Sequence, residues 1–263
     1  MPGTLTVTDA RVTYKLPARR TLTAVDGVSF TLAPGEVLGL VGESGCGKST
    51  LARAICGLEP LAAGSIDFDG ESIGALGLRK RPRTLLRIQM VFQNPYGSLN
   101  PRRRVGAQLQ DALAIAGEER STVDALLDSV GMDRSSAGLF PHQFSGGQRQ
   151  RIAIARAMAA HPSVLIGDEP IASLDASLQA RVATLMRDVA IKNGASLLFI
   201  SHDLSVVRVI ADRVAVMKAG RIVEEGSVER IWNAPTDPYT QQLLAAIPLA
   251  DGLGTLPSAS ESA

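Results

Sequence analysis

Gly42-Glu-Ser-Gly-Cys-Gly-Lys-Ser-Thr50 is the segment of this sequence whose residue types most narrowly limit its chemistry. Its glycines let the backbone curl until successive N–H groups point inward, where they cradle phosphate oxygens. A helix starting at the end of the loop adds about half a positive charge at the same place. Lys48 is spaced to reach the β- and γ-phosphates of a nucleoside triphosphate, and the Ser49 hydroxyl to ligate Mg²⁺. The expected phosphate-binding set is therefore Gly42, Ser44, Gly45, Cys46, Gly47, Lys48, Ser49 and Thr50.

A second chemical signal is the acidic pair Asp168-Glu169, which ends the apolar run Val164-Leu-Ile-Gly167. Side chains alternate along a strand, so two adjacent carboxylates diverge and can take different tasks. Asp168 suits the Mg²⁺ shell, and Glu169 suits orienting or deprotonating an attacking water. General-base assistance of that kind contributes about 10²–10⁴-fold in rate. Alone, Asp-Glu-Pro at a strand end is a common turn opener; the phosphate loop upstream turns the reading toward catalysis. Ser145-Gly146-Gly147-Gln148 opens a helix whose bared N–H groups form a second candidate anion site. Ser145 equally suits a simple N-cap. His202 follows another apolar run, and its neighbours Ser201 and Asp203 suit the capping of a further helix.

Alternating β and α signals must position these residues, which favours a parallel sheet flanked by helices. Strands are expected at Leu5–Thr8, Val12–Tyr14, Val28–Leu32 and Val37–Val41, then Ser65–Asp69 and Gln89–Gln93. A helix is expected over Thr50–Leu58. Residues of roughly 103–160 change character, with helix formers over Gln108–Ala116, Thr122–Val130 and Gln148–Ala160 broken by Gly131, Gly138 and Pro141. They read as a helical subdomain inserted into the α/β core. Strand Val164–Gly167, helix Ala176–Lys192, strand Ser196–Ile200 and a strand pair near Val214–Met217 and Arg221–Glu224 follow. Residues 250–263 are small and polar without periodicity, so a disordered tail is expected.

The chain has 263 residues, with 45% apolar and 20% charged residues, ordinary for a soluble globular protein. No apolar run is long enough to span a bilayer, so a cytoplasmic chain is expected unless a partner holds it at a membrane. Cys46 and Cys56 flank the first turns of one expected helix and fit reduced thiols better than a disulfide framework. The net charge of +1 hides an uneven distribution: Ser72 to Gln110 has no Asp or Glu but carries eight Lys and Arg, including Arg102, Arg103 and Arg104. That stretch reads as a solvated face, or as a surface for an anionic leaflet or acidic partner. Without interleaved aromatics it is weak support for nucleic acid, and no nucleic-acid partner is expected.

In order and spacing, the phosphate loop, residues 144–148, Asp168-Glu169, Ser173-Leu174-Asp175 and His202 make the chain resemble the ATPase subunits of ATP-binding-cassette (ABC) transporters over essentially its whole length. The resemblance implies one ATP-binding domain over residues 1–249. Its α/β fold would be a P-loop NTPase (RecA-like) core with an N-terminal antiparallel β subdomain and the inserted helical subdomain. It implies ATP and Mg²⁺ as ligands and a second cassette, identical or paralogous, docked head to tail. Ser145, Gly146, Gly147 and Gln148 would then contact the γ-phosphate of nucleotide held by the opposing subunit, with Asp175 crossing the interface. Gln93 would sense Mg²⁺ and the attacking water, and His202 would contact the γ-phosphate and keep Glu169 in position. Tyr14 is the expected ring against adenine, with a core tyrosine as the alternative.

A narrower resemblance, to bacterial dipeptide, oligopeptide and nickel importer ATPases, rests on Ala24–Phe30, Val91–Arg102, Pro141–Ser145 and Asp237–Pro248. It implies membrane permease subunits as partners, an extracytoplasmic solute-binding protein reached indirectly, and a place at the cytoplasmic face of the membrane. Asn94 to Arg104 would line a groove that receives a short helix of the permease. Gly167, Phe144 and Pro170-Ile-Ala-Ser173 depart from the commoner residues of the wider family, and none of these changes removes a catalytic group. A different reading, a soluble cassette ATPase acting as a mechanical switch on nucleic acid or a ribosome, ordinarily requires two cassettes or a long coiled-coil insertion.

Overall fold

A computed structural model of the chain describes residues 3–17, 20–76, 83–93, 98–116, 122–172 and 175–247. The strands are β1 (Leu5–Lys15), β2 (Thr21–Leu32), β3 (Val37–Val41), β4 (Ala63–Phe68), β5 (Glu71–Ser72), β6 (Ile88–Val91), β7 (Val164–Asp168), β8 (Ser196–Ser201), β9 (Arg213–Lys218) and β10 (Arg221–Ser227). The helices are α1 (Lys48–Ile55), α2 (Arg83–Leu86), α3 (Val105–Ala116), α4 (Thr122–Ser129), α5 (Gly146–Met158), α6 (Ala176–Lys192), α7 (Leu204–Ile210), α8 (Val228–Asn233) and α9 (Pro238–Ala245).

Six strands form one sheet in the order β10-β9-β3-β8-β7-β6, parallel except for the β9–β10 hairpin. Every residue of β3, β7 and β8 is buried, as expected of parallel strands covered on both faces. The second sheet, β2-β1-β4-β5, is antiparallel and alternates buried with exposed positions more openly. This is the α/β core with an antiparallel β layer that the sequence led us to expect. Helices α3, α4 and α5 fall within the helix-rich middle of the chain, and α5 also packs against the start of α6, where a Cβ on Gly147 would lie 2.5 Å from Leu178 Cδ2.

Several boundaries differ from expectation for local reasons. The two strands expected over Leu5–Thr8 and Val12–Tyr14 are one strand, whose register shifts between Val7 and Ala10 around Asp9 at φ 46°. A bulge bends a strand without ending it. The strand expected to reach Gln93 stops at Val91, where pairing with Gly167 of β7 ends, so Gln93 sits in the bend beyond it. Helix α1 starts two residues early, at Lys48, directly on the phosphate loop, and stops at Ile55. Two C-terminal helices, α8 and α9, had no place in the sequence reading. Each has a side-chain cap: Ser227 accepts from Arg230 N, and Asp237 accepts from Tyr239 N and Thr240 N with Pro238 at the first helical position. Asn94–Gly97, Ser173-Leu174 and the expected tail over 250–263 lie outside the described residues.

Arg102, Arg103 and Arg104 of the acid-free stretch are exposed, as in a solvated face, and two of them also have partners within the chain. Arg103 pairs with Asp111 on α3, while Arg104 donates to Gly138 O at 2.8 Å and stands 5.4 Å over the Phe140 ring. Phe199, fully buried in β8, sits in the middle of the main sheet. Phe199→Ala is expected to cost about 3–5 kcal/mol, read as a lower urea midpoint at unchanged slope; a cost below about 1 kcal/mol would refute the central placement.

Candidate functional site

The site forms where β3, β8 and β7 end, because parallel strands deliver their C-terminal loops to one edge of the sheet. The phosphate loop leaves β3 at Val41 and enters α1 at Lys48. Gly47 adopts φ 110°, and a Cβ there would lie 2.1 Å from the Ala24 carbonyl of β2. Gly42 is equally confined, since its Cβ would lie 2.1 Å from Met217 O. No other residue type fits these two close backbone approaches.

Lys48 is 3% exposed and donates to Gly42 O at 2.7 Å and to Glu43 O at 2.8 Å, so the ammonium is held inside the curl of the loop. Cys46, buried, lies with its sulfur 3.7 Å from the same Nζ. Ser49 Oγ donates to Asp168 Oδ1 at 2.7 Å, which joins the loop to the end of β7. Burial pushes the Asp168 carboxyl above its ordinary range, opposed by the Ser49 hydrogen bond and by the charges of Arg53 and Lys48.

The neighbouring carboxylate points elsewhere, because Glu169 lies just past the end of β7 and leaves the strand conformation. Glu169 Oε2 lies 3.4 Å from His202 Nδ1 and accepts from Gln93 Nε2 at 3.4 Å. Glu169 itself has φ 46°, a left-handed conformation that costs a non-glycine residue about 1–3 kcal/mol and clusters at functional sites. Its N–H donates to Ile200 O at 3.0 Å, so β8 holds the strained residue in place. Gln93, Glu169 and His202 thus converge from three separate segments. His202 is more than half exposed, leaving one side of the cluster open to solvent.

Ser145–Gln148 does not join this cluster. Ser145 Oγ accepts from Gln148 N at 3.3 Å, and Gln148 Oε1 accepts from Ser145 N at 2.9 Å, closing a reciprocal cap at the start of α5. Among the described residues no hydrogen bond links this segment to the phosphate loop. Ser145, Gly146 and Gln148 are exposed, whereas Gly147 is buried against Leu178. Asp175 caps α6 by accepting from Leu178 N at 2.9 Å, so it lies beside the same segment. Tyr14 is half-buried on β1 opposite Leu22 and packs against the hydrophobic core beneath the antiparallel sheet.

The donor set fits Mg²⁺. This ion takes one or two protein oxygens and completes its shell with phosphates and water rather than an all-protein cage. Ser49 and Asp168 could supply those oxygens, and among the described residues there is no group of three or more His, Cys, Asp or Glu able to hold a metal. Sequence reasoning missed Tyr239, whose hydroxyl accepts from Glu43 N of the phosphate loop at 3.0 Å. The Asp237-Pro238 cap signal would have located its helix, but nothing local marks its contact 196 residues away.

Comparison with known proteins agrees with this geometry. A family model described as ABC transporter matches residues 25–172. The chain is 46% identical over 240 residues to the oligopeptide transport ATP-binding protein OppF of Bacillus subtilis (strain 168), covering 89% of this chain and 79% of that protein. It is 47% identical over 234 residues to the dipeptide transport ATP-binding protein DppF of Escherichia coli (strain K12), covering 87% and 70%. Among solved structures, a dimeric bacterial ABC transporter cassette superposes with TM-score 0.75 at 24% identity, over 85% of this chain and 98% of that one. An ATP-binding cassette in a post-hydrolysis state, bound to ADP and Pi, gives TM-score 0.73 at 25% identity, over the same shares.

Gly47→Ala is expected to weaken binding of a fluorescent ATP analogue by about tenfold or more, matching the 1–3 kcal/mol cost of that conformation for a non-glycine residue. Because the strain is present in the folded chain before nucleotide binds, the unfolding temperature of the nucleotide-free protein should fall as well. Wild-type affinity in the variant would show that the loop does not need this backbone geometry.

Proposed function

This chain belongs to the ABC transporter family, and on that premise we propose that it is the ATP-hydrolysing, energy-coupling subunit of a bacterial importer for peptides or a related small solute. The observation that carries the mechanism is the division of the site. Lys48, Ser49, Asp168, Glu169, Gln93 and His202 gather at one edge of the sheet, while among the described residues no hydrogen bond joins Ser145–Gln148 to that group. One chain therefore carries two unlike halves, and a head-to-tail pair of cassettes completes two sites.

In the first half, the N–H groups from Gly42 to Thr50 and the Lys48 ammonium hold the β- and γ-phosphates, with Tyr14 against the adenine. Ser49, Asp168 and Gln93 would hold Mg²⁺, which when bound neutralises phosphate charge and draws the phosphates into a reactive orientation. Glu169 orients the attacking water and takes up its proton. Gln93 positions that water, and His202 fixes Glu169 and contacts the γ-phosphate. From the opposing cassette, Ser145, Gly146, Gly147 and Gln148 meet the γ-phosphate through the start of α5, with Asp175 at the crossing. Their mutual cap opens as the two cassettes close. Hydrolysis removes the shared γ-phosphate and with it the contact that favours closure.

Among the described residues no helix is long and apolar enough to cross a membrane. Force is therefore delivered through contact with permease subunits at the cytoplasmic face of the membrane. A groove of about 1020 Å³, lined among others by Leu58, Phe92, Leu99, Arg102 and Ile115, suits a short amphipathic helix from such a subunit. Helices α3, α4 and α5 belong to one subdomain within roughly 103–160 and move with that helix.

Glu169→Gln keeps the size of the side chain and one acceptor oxygen but removes its charge and basicity. The variant is expected to bind ATP normally, hydrolyse it at least about 100-fold more slowly, and elute as a stable dimer with ATP but not ADP in light-scattering chromatography. Hydrolysis at the wild-type rate would remove Glu169 from its role.

A further inference from the structure

The phosphate loop is held from behind by groups that the catalytic assignment does not use. Both polar groups of the peptide joining Gly42 and Glu43 are taken. Its carbonyl accepts from Lys48 Nζ at 2.7 Å, and its N–H donates to the Tyr239 hydroxyl at 3.0 Å. Tyr239 is 5% exposed at the start of α9, and Lys218 Nζ stands 4.5 Å over its ring.

Tyr239 is itself firmly mounted. Asp237 caps its helix, and the turn before it is gripped by Glu224 of β10. The Glu224 carboxylate accepts from Thr236 N at 2.8 Å, Thr236 Oγ1 at 2.8 Å and Asp237 N at 3.0 Å. Burial pushes this carboxyl upward, but those hydrogen bonds outweigh it and hold the pKa at about 2. The anchor is therefore charged throughout the neutral range. From the other side, Gly220 N donates to Cys46 O at 2.9 Å, so the β9–β10 hairpin and α9 together brace the loop.

Lys48 uses two of its three N–H donors on loop carbonyls, so contacting both the β- and the γ-phosphate takes at least one of them away. Where the bond given up is the one to Gly42 O, the Tyr239 hydroxyl is the side-chain hydrogen bond left on the Gly42–Glu43 peptide. We propose that Tyr239 is a positioning residue for nucleotide binding: its hydroxyl holds the Gly42–Glu43 peptide so that the loop's N–H groups stay turned to the phosphates, and Glu224 is the mount that fixes it. The proposal rests on the ATPase reading above and adds a C-terminal component to that site.

The test uses the full-length chain. Tyr239→Phe keeps the ring, its packing and the Lys218 contact, and removes only the hydroxyl. The expected result is a rise of about fivefold in the Kd for a fluorescent ATP analogue and in the KM for ATP, the worth of one hydrogen bond. The kcat at saturating ATP should stay within about twofold, because the hydroxyl touches no reacting atom. A lowered unfolding temperature with an unmoved KM would mean that Tyr239 only packs, and would overturn the proposal. Glu224→Gln should raise KM in the same direction, and the double variant should be no weaker than the weaker single variant, as expected for one shared path. Fully additive effects would remove Glu224 as the mount. If the wild-type chain bound no analogue, the ATPase reading would itself fail; if it bound and Tyr239→Phe bound equally well, this inference alone would fall.

Discussion

The parallel register of three strands governs the rest of the molecule. Leu40 of β3 pairs with Ile200 of β8, and Ile200 pairs with Asp168 of β7. That alignment brings the loop after β3 and the acidic end of β7 to the same height at one edge of the sheet. The Ser49–Asp168 hydrogen bond reaches across the intervening strand, and Glu169 N is tied to Ile200 O on that strand. A slip of one residue in β7 would exchange the faces of Asp168 and its neighbours, parting both carboxylates from their tasks. The complete burial of β3, β7 and β8 makes such a slip costly, since each position has been fitted to a covered face.

Where the chemistry is local in sequence, it was legible there. The glycines and lysine of the phosphate loop declare their backbone and their ligand within nine residues. The strands around them are short apolar runs with turn signals on either side. What sequence patterns conceal is contact made across distance. The bulge at Asp9 looks like a strand break because local periodicity fails there, while pairing with β2 and β4 carries the strand through. Gln93 was placed on its strand rather than beyond it because ladder pairing with β7, not the apolar run, decides where β6 ends. The Glu43–Tyr239 bond joins residues 196 positions apart and leaves no pattern in either segment.

Charge shows the same contrast. Eight cations without an acid over Ser72 to Gln110 look like one electrostatic surface. Among the described residues four of them have different surroundings: Arg103 pairs with Asp111 of α3, Arg104 donates to Gly138 O, Arg87 stands 4.6 Å over the Phe68 ring, and Arg102 borders the groove. Arginine suits such surface positions because its planar head can stack on a ring and donate to a carbonyl at once, as Arg104 does with Phe140 and Gly138.

Each half of the site also satisfies its own polar groups before any ligand arrives. Lys48 rests on two carbonyls, Ser49 on Asp168, and Ser145 and Gln148 on each other. Binding a triphosphate is therefore an exchange of hydrogen bonds, and the net gain from each exchanged bond is small. Affinity then depends on how little the scaffold must rearrange while its side chains change partners. Side chains such as Lys48 can swing at modest cost, but the loop backbone cannot, because its N–H groups must already face the phosphates. The backbone constraints on the loop, which are Ala24 O behind Gly47, Met217 O behind Gly42, Gly220 on Cys46 and Tyr239 on Glu43, all come from the β layer and the C-terminal third of the chain. Recognition of phosphate is thus written in nine residues but held in shape by segments far from them.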